Sequence, residues 1–447
     1  MEKQVVTLLK QMIQNACVND GTLESGQEIR NALLLKEYFE KNGIKGEILE
    51  KEKNRSNFLA RIPGKSRTAP SLMFMCHLDV VPANEDDWSC NPFGAEERGG
   101  YIWGRGAQDM LGIAAASAVA FVEIVKEQKQ LAGDFIFLAT ADEESSGRHG
   151  ARWLVEKHWE KIKCDYMVTE AGGFFIKHKG KRALNMTVGE KGLAWTRISA
   201  KGTAGHGSLP YFSDNAAVKL SRALAKLAKA GNRLELSGLF KSTIKSLPYS
   251  WLTKLMLKTP LLFKLGLKRI QRISPGLARY LHAISHTTLS PNIIKVGQKI
   301  NIIPDQGIIE LDIRILPGQT IESVVAWLEK ELKIIDGQFS VEVLDYFPAN
   351  VSETDTPLYE ASIDVMQSIY PDCRDVPMLF SGVTDARFFR MRGTRVYGFS
   401  LYDQNMTLER YVEMLHGRDE RISIDSLAMA VNYFYRVPSV FYQKITW

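Results

Sequence analysis

The sequence predicts an α/β protein: a mixed, largely parallel sheet flanked by helices, with a smaller α+β domain inserted into it. Short apolar runs typical of buried strands alternate with helical stretches over residues 1–170. Beyond residue 187 the order becomes strand, helix, strand, strand, helix, strand, which is typical of a ferredoxin-like domain. A chain of 447 residues is also too long for one compact core. We therefore expect two domains.

The composition excludes several classes of protein. Hydrophobic residues make up 45% and charged residues 24%, which is ordinary for a soluble globular protein. With 57 Lys and Arg against 51 Asp and Glu, the net charge of +6 is too mild to suggest a nucleic-acid partner. The five cysteines are scattered without a CxxC pair and favour reduced thiols in a cytoplasmic protein. No signal peptide and no apolar run of about 18 residues that would span a membrane is expected.

The first domain is predicted to comprise residues 1–186 and 349–447. Its first helices carry Leu and Ile at helical spacing, and its central strands are continuous apolar runs. We place its helices at 2–16, 26–43, 113–130, 149–158, 356–369 and 423–436. We place its strands at 45–50, 57–62, 72–77, 134–140, 166–169 and 395–400.

The inserted domain is predicted to span residues 187–348. Alternating apolar and polar residues indicate antiparallel strands with one buried face, and the stretches between them have helical periodicity. We place its strands at 187–200, 292–303, 307–315 and 339–346, and its helices at 215–230 and 320–334.

Residues 232–273 form an unusual segment within the inserted domain. The segment carries nine Lys or Arg residues against the single acid Glu235, interleaved with large apolar side chains. Pro248 and Pro260 divide it into short helices. Two interpretations remain open: an amphipathic insert that packs on its own domain, or a basic apolar lip that receives a lipid-like acyl group or contacts an anionic membrane surface.

Five polar side chains lie at the carboxyl ends of predicted strands of the first domain. They are His77, Asp79, Glu143, Glu144 and Glu170. Strand alternation places His77 and Asp79 on the same face, where the acid can orient the imidazole of a metal ligand. Ligands of largely parallel sheets bind beyond the carboxyl ends of the strands. The coincidence therefore predicts a functional site at that edge of the sheet.

Asp109, in a glycine-rich turn, and His416, just before the closing helix, extend this set. Nitrogen and carboxylate ligands together suit zinc, with cobalt or manganese able to substitute. Two histidines and three carboxylates exceed what one ion needs and fit two ions bridged by a carboxylate, for which Asp109 is the natural candidate. Of Glu143 and Glu144, one can point at the metals while the other acts as general base. The predicted reaction is metal-assisted amide hydrolysis.

Each of these residues also has an ordinary structural explanation. A buried histidine bonded to an acid is common, adjacent glutamates are common on solvated surfaces, and His416 taken alone would more often be structural. The joint arrangement, and not any single residue, favours the metal site.

Over about residues 70–425 the sequence resembles the ArgE/DapE/aminoacylase family of co-catalytic zinc hydrolases. The resemblance rests on motifs in the family's order: CHLDVVP, GRGAQDMLG, ATADEESSG, VTEAGG, GTAGHGSLP, INIIPD followed by LDIRILPG, GVTDARF and LHGRDERI. It implies a zinc exopeptidase-like catalytic domain and an inserted lid domain through which many members, though not all, form dimers.

The resemblance also implies roles for the candidate residues. It implies a dinuclear zinc site with His77 and Glu170 on one ion, Glu144 and His416 on the other, and Asp109 bridging both. It further implies that Asp79 orients His77, that Glu143 is the general base, and that the peptide bond after Asp109 is cis.

Four further residues are assigned to the substrate by the same resemblance. His206 is expected to stabilise the developing oxyanion, often from the lid of a partner subunit, and Asn301 and Arg314 to hold a substrate carboxylate. Thr384, in a glycine turn, is expected to line the same pocket. Without the resemblance, His206 would be a solvated loop histidine and Arg314 a member of a salt bridge on a strand face.

The substrate follows from two comparisons within that family. Glu170 stands where carboxypeptidase and acylase branches tend to carry Glu, which favours a substrate with a free carboxylate and a blocked amine. The apolar segment 232–273 is similar to that of the larger carboxypeptidase and N-acyl-amino-acid hydrolase members. We expect an N-acyl amino acid with a bulky or fatty acyl group; the alternative is a dipeptidase or carboxypeptidase acting on short peptides. A protein that only binds a ligand would be missing a metal ligand or the base, and none is missing here.

Overall fold

A computed structural model of the chain describes residues 1–127, 131–230, 233–333 and 338–445. Within these residues a ten-stranded mixed sheet and a five-stranded antiparallel sheet form the two centres of the molecule. The strands of the large sheet come from both ends of the chain, and those of the small sheet lie between residues 192 and 347. The predicted fold class, a largely parallel sheet flanked by helices with an inserted α+β unit, is confirmed.

The large sheet places three parallel strands next to one another at its centre. Phe135–Thr140, Leu72–His77 and Tyr166–Thr169 pair in parallel, so their carboxyl ends meet at one edge. The path of the sheet is Glu47–Glu52, Arg55–Ile62, Phe135–Thr140, Leu72–His77, Tyr166–Thr169, Arg395–Gly398, Lys181–Glu190 and Asn350–Val351, with Arg374–Phe380 and Phe175–His178 also paired to Lys181–Glu190.

Helices cover the large sheet. The helix Leu111–Lys126 is apolar on nearly every side and is buried, as expected for a helix without a polar face. Its Phe121 stacks on Phe135 of the sheet with 4.2 Å between ring centroids. The helices of this part are Glu2–Gln14, Ile29–Lys41, Leu111–Lys126, Ala151–Lys157, Trp159–Ile162, Pro357–Ile369, Ala386–Arg390, Leu408–Met414 and Ile424–Gln443.

The small sheet has the strand order of a ferredoxin-like domain. In space the strands follow one another as Arg233–Leu234, His286–Val296, Gln306–Ile315, Gly192–Lys201 and Gln338–Phe347. The helices Ala216–Ala230 and Ile321–Leu332 bury apolar residues against it in a separate core. We call this unit the lid. A short pair of strands, Gly205–His206 and Ile302–Ile303, extends from it.

Residues 233–285 contribute four helices that pack on the large sheet and, through Phe263 and His282, also contact His286 at the start of a lid strand. The helices are Gly238–Ser246, Trp251–Lys258, Phe263–Gln271 and Pro275–Ser285, with breaks at Pro248 and Pro260 as predicted. Thr243 Oγ1 donates to the carbonyl of Pro377 at 2.6 Å, and Tyr280 Oη donates to that of Leu379 at 3.0 Å. The segment covers the strand Arg374–Phe380, which the sequence did not predict, and its assignment to the inserted domain stays a prediction.

Two predicted strands of the inserted domain need correction. The strand predicted at 187–200 is two strands, Lys181–Glu190 in the large sheet and Gly192–Lys201 in the lid, and the chain crosses between the sheets at Lys191. The strand predicted at 292–303 runs from His286 to Val296 because the chain turns before Ile302. The domain division at residues 187 and 348 stays a prediction.

A three-stranded sheet was not predicted at all. It consists of Glu96–Arg98, Tyr101–Trp103 and Arg421–Ser423, and its strands are too short to give a periodic pattern. The last residues of the helices predicted at 113–130 and 320–334, and the first residue of segment 232–273, lie outside the described residues.

Among the helices of the described ranges, none combines the length and the apolar composition that crossing a lipid bilayer requires.

Candidate metal centre and active site

The three central strands of the large sheet bring four of the candidate residues to one edge. His77 is the last residue of its strand, and the turn carrying Glu143 and Glu144 follows the neighbouring strand on one side. Glu170 follows the neighbouring strand on the other side. The candidate residues at the strand ends therefore lie close together in the folded chain.

The three-stranded sheet brings Asp109 and His416 to the same place. The strand before the Asp109 loop pairs with the strand after His416, with Ile102 opposite Ile422. The Asp109 loop needs a left-handed residue at Gly106, where a Cβ atom would also lie 2.5 Å from the side chain of Val80. The peptide bond from Asp109 to Met110 is cis, as the resemblance implied.

The two carboxylate oxygens of Asp109 each face a different imidazole. Oδ1 lies 3.2 Å from His77 Nε2, and Oδ2 lies 3.3 Å from His416 Nε2. Glu170 Oε2 lies 3.9 Å from His77 Nε2, and Glu144 Oε2 lies 3.2 Å from His416 Nε2. The five candidate ligands thus form two clusters that share Asp109.

Buried carboxylates are concentrated in this cluster. Burial and the charge of Asp109 raise the pKa of Glu144 to about 7, and burial and the same charge raise the pKa of Glu170 well above its ordinary value. Hydrogen bonds to Asp109 and Glu144 raise the pKa of His416 to about 10. Within the described part of the chain, these carboxylates form no ion pair with Lys or Arg, and the buried Glu144 Oε1 has no hydrogen-bond partner. This donor set fits two divalent cations.

Asp79 reaches His77 through its main chain. His77 Nδ1 donates to the carbonyl oxygen of Asp79 at 2.9 Å, which leaves the Nε2 lone pair facing Asp109. The carboxylate of Asp79 lies 3.6 Å from Nδ1 and instead accepts the main-chain N–H groups of Glu143 and Glu144, at 3.2 and 3.1 Å. It also accepts from Asn19 Nδ2 at 2.8 Å. Its two main-chain partners therefore fix the turn that carries the two glutamates.

A buried ion network lies behind the same turn. The guanidinium of Arg55 is fully buried and donates to Glu28 Oε2 at 2.8 Å and to Asp142 Oδ1 at 2.9 Å. The main-chain N–H of Asp142 in turn donates to Glu28. Sequence analysis missed these residues because a single Arg before a strand and a single Glu before a helix carry no pattern.

Glu420 anchors the Asp109 loop. One carboxylate oxygen accepts the main-chain N–H groups of Gln108 and Asp109, at 2.7 and 3.1 Å. The other accepts the N–H of Gly106 at 3.0 Å and a guanidinium N–H of Arg105 at 2.9 Å. In the sequence its only signal was its place four positions after the candidate ligand His416, because its burial becomes visible only in the structure.

The cluster opens into a cavity of about 780 Å³. Asp109, Glu143, Glu144, Glu170 and His416 line one end of the cavity. Its remaining walls carry four arginines, Arg148, Arg279, Arg314 and Arg387, and a larger set of apolar side chains, namely Leu193, Trp195, Tyr280, Phe347, Phe380, Val383, Tyr411, Val412 and Leu415. A cavity with a polar, charged end and apolar walls can take a molecule that has both characters.

Thr384 lies in the cavity wall, on a turn that a buried ion pair holds. Its main-chain N–H donates to the carboxylate of Glu190, whose other oxygen accepts from Arg390 Nη1 at 2.6 Å. Arg314 also lines the cavity, but it donates from Nε and Nη2 to Asp312 at 2.7 and 3.1 Å. That pair is the strand-face salt bridge that the sequence left open as an alternative.

His206 and Asn301 lie beside each other on the lid. The N–H of Gly207 donates to the carbonyl oxygen of Asn301 at 2.8 Å, and His206 is exposed with Nδ1 2.7 Å from Ser208 Oγ. Neither residue lines the cavity of its own chain, so the structure does not bring them to the metal cluster.

Comparison with known proteins gives a family and a fold. The model of peptidase family M20/M25/M40 matches residues 73–439. The chain is 29% identical over 392 residues to the human N-fatty-acyl-amino acid synthase/hydrolase PM20D1, covering 85% of this chain and 76% of that protein. It is 28% identical over 393 residues to a probable succinyl-diaminopimelate desuccinylase of Staphylococcus aureus, covering 87% and 86%.

A solved structure has the same fold over nearly the whole chain. It is the M20 family metallo-carboxypeptidase Sso-CP2 from Sulfolobus solfataricus, which superposes with a TM-score of 0.72 at 19% identity and with 99% of each chain covered.

The anchoring role of Glu420 can be tested by Glu420→Gln. The substitution leaves the Arg105 cation buried without its ionised partner, so we expect the free energy of unfolding to fall by about 3 kcal/mol or more. Urea titration measures this loss, and the exposed Glu413→Gln on the preceding helix is the matched control. A loss no larger than that of the control would mean that Glu420 does not hold the loop.

Proposed function

The chain belongs to peptidase family M20/M25/M40, and we propose that within this family of amide hydrolases it cleaves N-acyl amino acids at a dinuclear zinc site. The observation that carries the proposal is the sharing of Asp109 between two histidine–carboxylate clusters at the charged end of a cavity with apolar walls. The alternative is a dipeptidase or carboxypeptidase of short peptides.

The ligands are assigned from the contacts around Asp109. His77 and Glu170 would hold one ion, Glu144 and His416 the other, and Asp109 would bridge them. Zinc suits this mixture of imidazole and carboxylate ligands, and cobalt or manganese could replace it. Bound there, two such ions would lower the pKa of a water and polarise the scissile carbonyl.

Glu143 is proposed as the general base. It lines the cavity and lies within 4.8 Å of His77, but among the described residues it forms no ion pair with a histidine, in contrast to Glu144, whose carboxylate contacts His416. Asp79 holds the main chain of both residues and so fixes the turn from which the two side chains extend. The carboxylate of Glu143 takes a proton from the attacking water and returns it to the leaving amine.

The walls of the cavity support an apolar acyl group. Trp195, Phe347 and Phe380 belong to the apolar lining near the Thr384 turn. Arg314 lines the same cavity, and we propose that it donates to the free carboxylate of the substrate in place of Asp312. Its planar guanidinium can form the same two-pronged hydrogen bond with either carboxylate. The relative named as an N-fatty-acyl-amino acid synthase/hydrolase supports this class of substrate.

The exposed surface of the lid is the basis for proposing a homodimer. Along most of its length the strand His286–Val296 pairs on one side only within the described residues, and Ile293 and Ile294 on it are exposed. Tyr211, Phe212 and Ile300 are almost fully exposed near His206 and Asn301. We propose that this face pairs with a second copy and delivers His206 and Asn301 to the partner's cavity, His206 to stabilise the oxyanion and Asn301 to hold the substrate carboxylate.

A cytoplasmic location is part of the proposal. It is supported by five unpaired cysteines, of which Cys17, Cys76, Cys164 and Cys373 are buried thiols.

The base is tested by Glu143→Gln, which keeps the shape of the side chain but cannot accept a proton. We expect kcat to fall about 10²–10⁴-fold with the zinc content unchanged. Metal analysis of the purified protein separates this effect from that of Glu144→Gln, which should also lose zinc. Turnover by Glu143→Gln close to that of the unmodified enzyme would exclude Glu143 as the base.

The substrate class is tested with N-acyl amino acids of increasing chain length beside unblocked dipeptides. We expect kcat/KM to rise up to about fourfold for each methylene group that the cavity buries, since one buried CH₂ is worth about 0.8 kcal/mol. Glu143→Gln run in parallel excludes a contaminating hydrolase. A preference for dipeptides would establish the alternative function and leave the metal chemistry intact.

The partner role of His206 is tested by mixing two inactive variants. His206→Ala supplies an intact Glu143, and Glu143→Gln supplies an intact His206, so a mixed dimer contains one complete site. Free exchange should restore about a quarter of the normal activity, and sedimentation should show a dimer. A mixture as inactive as its parents, despite exchange, would place the action of His206 within its own subunit or remove it from catalysis.

A further inference from the structure

Two helices beyond the cavity wall expose an unusual apolar surface. Along the helix Trp251–Lys258, the turn after it and the helix Phe263–Gln271, large apolar side chains face outward. Trp251 is 75% exposed, Leu261 96% and Leu265 57%. We call this surface the outer face; its apolar residues are Trp251, Leu252, Leu255, Leu261, Leu262 and Leu265.

The apolar side chains of the outer face are not needed for the packing of these two helices on the rest of the chain. The same two helices already bury an inner face, in which Leu257, Phe263 and Ile270 join the core of the large sheet. A surface helix that packs on a core normally turns polar residues outward. Exposed leucines on the opposite side therefore indicate a partner that the chain itself does not supply.

The charge of the segment indicates the chemistry of that partner. Residues 251–272 carry six cations, Lys254, Lys258, Lys264, Lys268, Arg269 and Arg272, of which the last four are exposed. In the described ranges none of them forms an ion pair with an acid, and residues 236–285 contain no Asp or Glu. Apolar side chains interleaved with uncompensated cations match the interface of an anionic lipid bilayer.

We propose that the outer face docks on an anionic membrane surface. Trp251 and the leucines enter the boundary between headgroups and acyl chains, while the lysines and arginines meet the anionic headgroups. A second copy of the chain is a poor occupant, because it would oppose the same six cations to one another across an apolar contact.

The outer face is continuous with the wall of the cavity. The helix Pro275–Ser285 follows it in the chain and packs beside Phe263–Gln271 within the same core. Gly276, Arg279, Tyr280 and Ala283 of that helix line the cavity. Docking would therefore hold one wall of the cavity close to the bilayer, and, if the proposed function is right, close to substrates whose acyl chains reside there.

The experiment is flotation of the intact protein with vesicles of phosphatidylcholine alone or with added phosphatidylserine. We expect binding only to the vesicles with phosphatidylserine, and weaker binding as salt is added. Lys264→Glu combined with Lys268→Glu should weaken partitioning about tenfold or more, and Leu261→Asp about tenfold. Brominated lipids should quench the fluorescence of the protein, and Trp251→Phe should lose most of that quenching.

Matched variants elsewhere on the surface control for charge and for exposure. Lys3→Glu with Lys53→Glu changes the net charge equally, and Leu33→Asp removes an exposed leucine from another helix. Neither should alter binding. Equal binding to neutral vesicles, no binding at all, or an oligomer that disappears in the Leu261→Asp variant would each overturn the proposal. No substrate is present, so these outcomes are independent of the catalytic activity.

Discussion

The pairing of one carboxylate with two imidazoles is the contact on which the rest of the structure depends. Asp109 can face His77 and His416 only if three distant segments are held within a few ångströms of one another. Four carboxylates in so small and so buried a volume repel one another, and their burial is unfavourable unless cations compensate it. The surrounding fold therefore has to hold the turns that carry these carboxylates in place against their mutual repulsion.

The fold supplies them with a recurring device, a buried acid that accepts main-chain N–H groups from a functional turn. Asp79 holds the turn of Glu143 and Glu144, Glu420 holds the loop of Asp109, and Glu190 holds the turn of Thr384. Two of these acids are themselves neutralised by a buried arginine. Each of these carboxylates accepts hydrogen bonds from main-chain N–H groups, which restricts the conformation of the turn. The positions of the side chains on that turn are restricted as a result.

The helices of residues 233–285 connect the site with the surface of the molecule. Their inner side covers the strand Arg374–Phe380, and their last helix forms part of the cavity wall. The sequence indicated the basic, apolar character of this segment and its breaks at Pro248 and Pro260. It did not indicate what the segment packs against, because the strand that it covers pairs with Lys181–Glu190, almost 200 residues earlier in the chain.

The sequence by itself determined the class of fold, the central strands and the cluster of residues at their carboxyl ends, because these depend on local periodicity and on the polar residue that ends each buried run. For the same reason it indicated imidazole and carboxylate groups as the candidate metal ligands. Tertiary structure decided how Asp109 and His416 meet, since three short strands pair across more than 300 residues without a local pattern. It also decided that Glu420, Arg55 and Glu190 hold the functional turns, because a buried charge is recognisable only once its partners surround it.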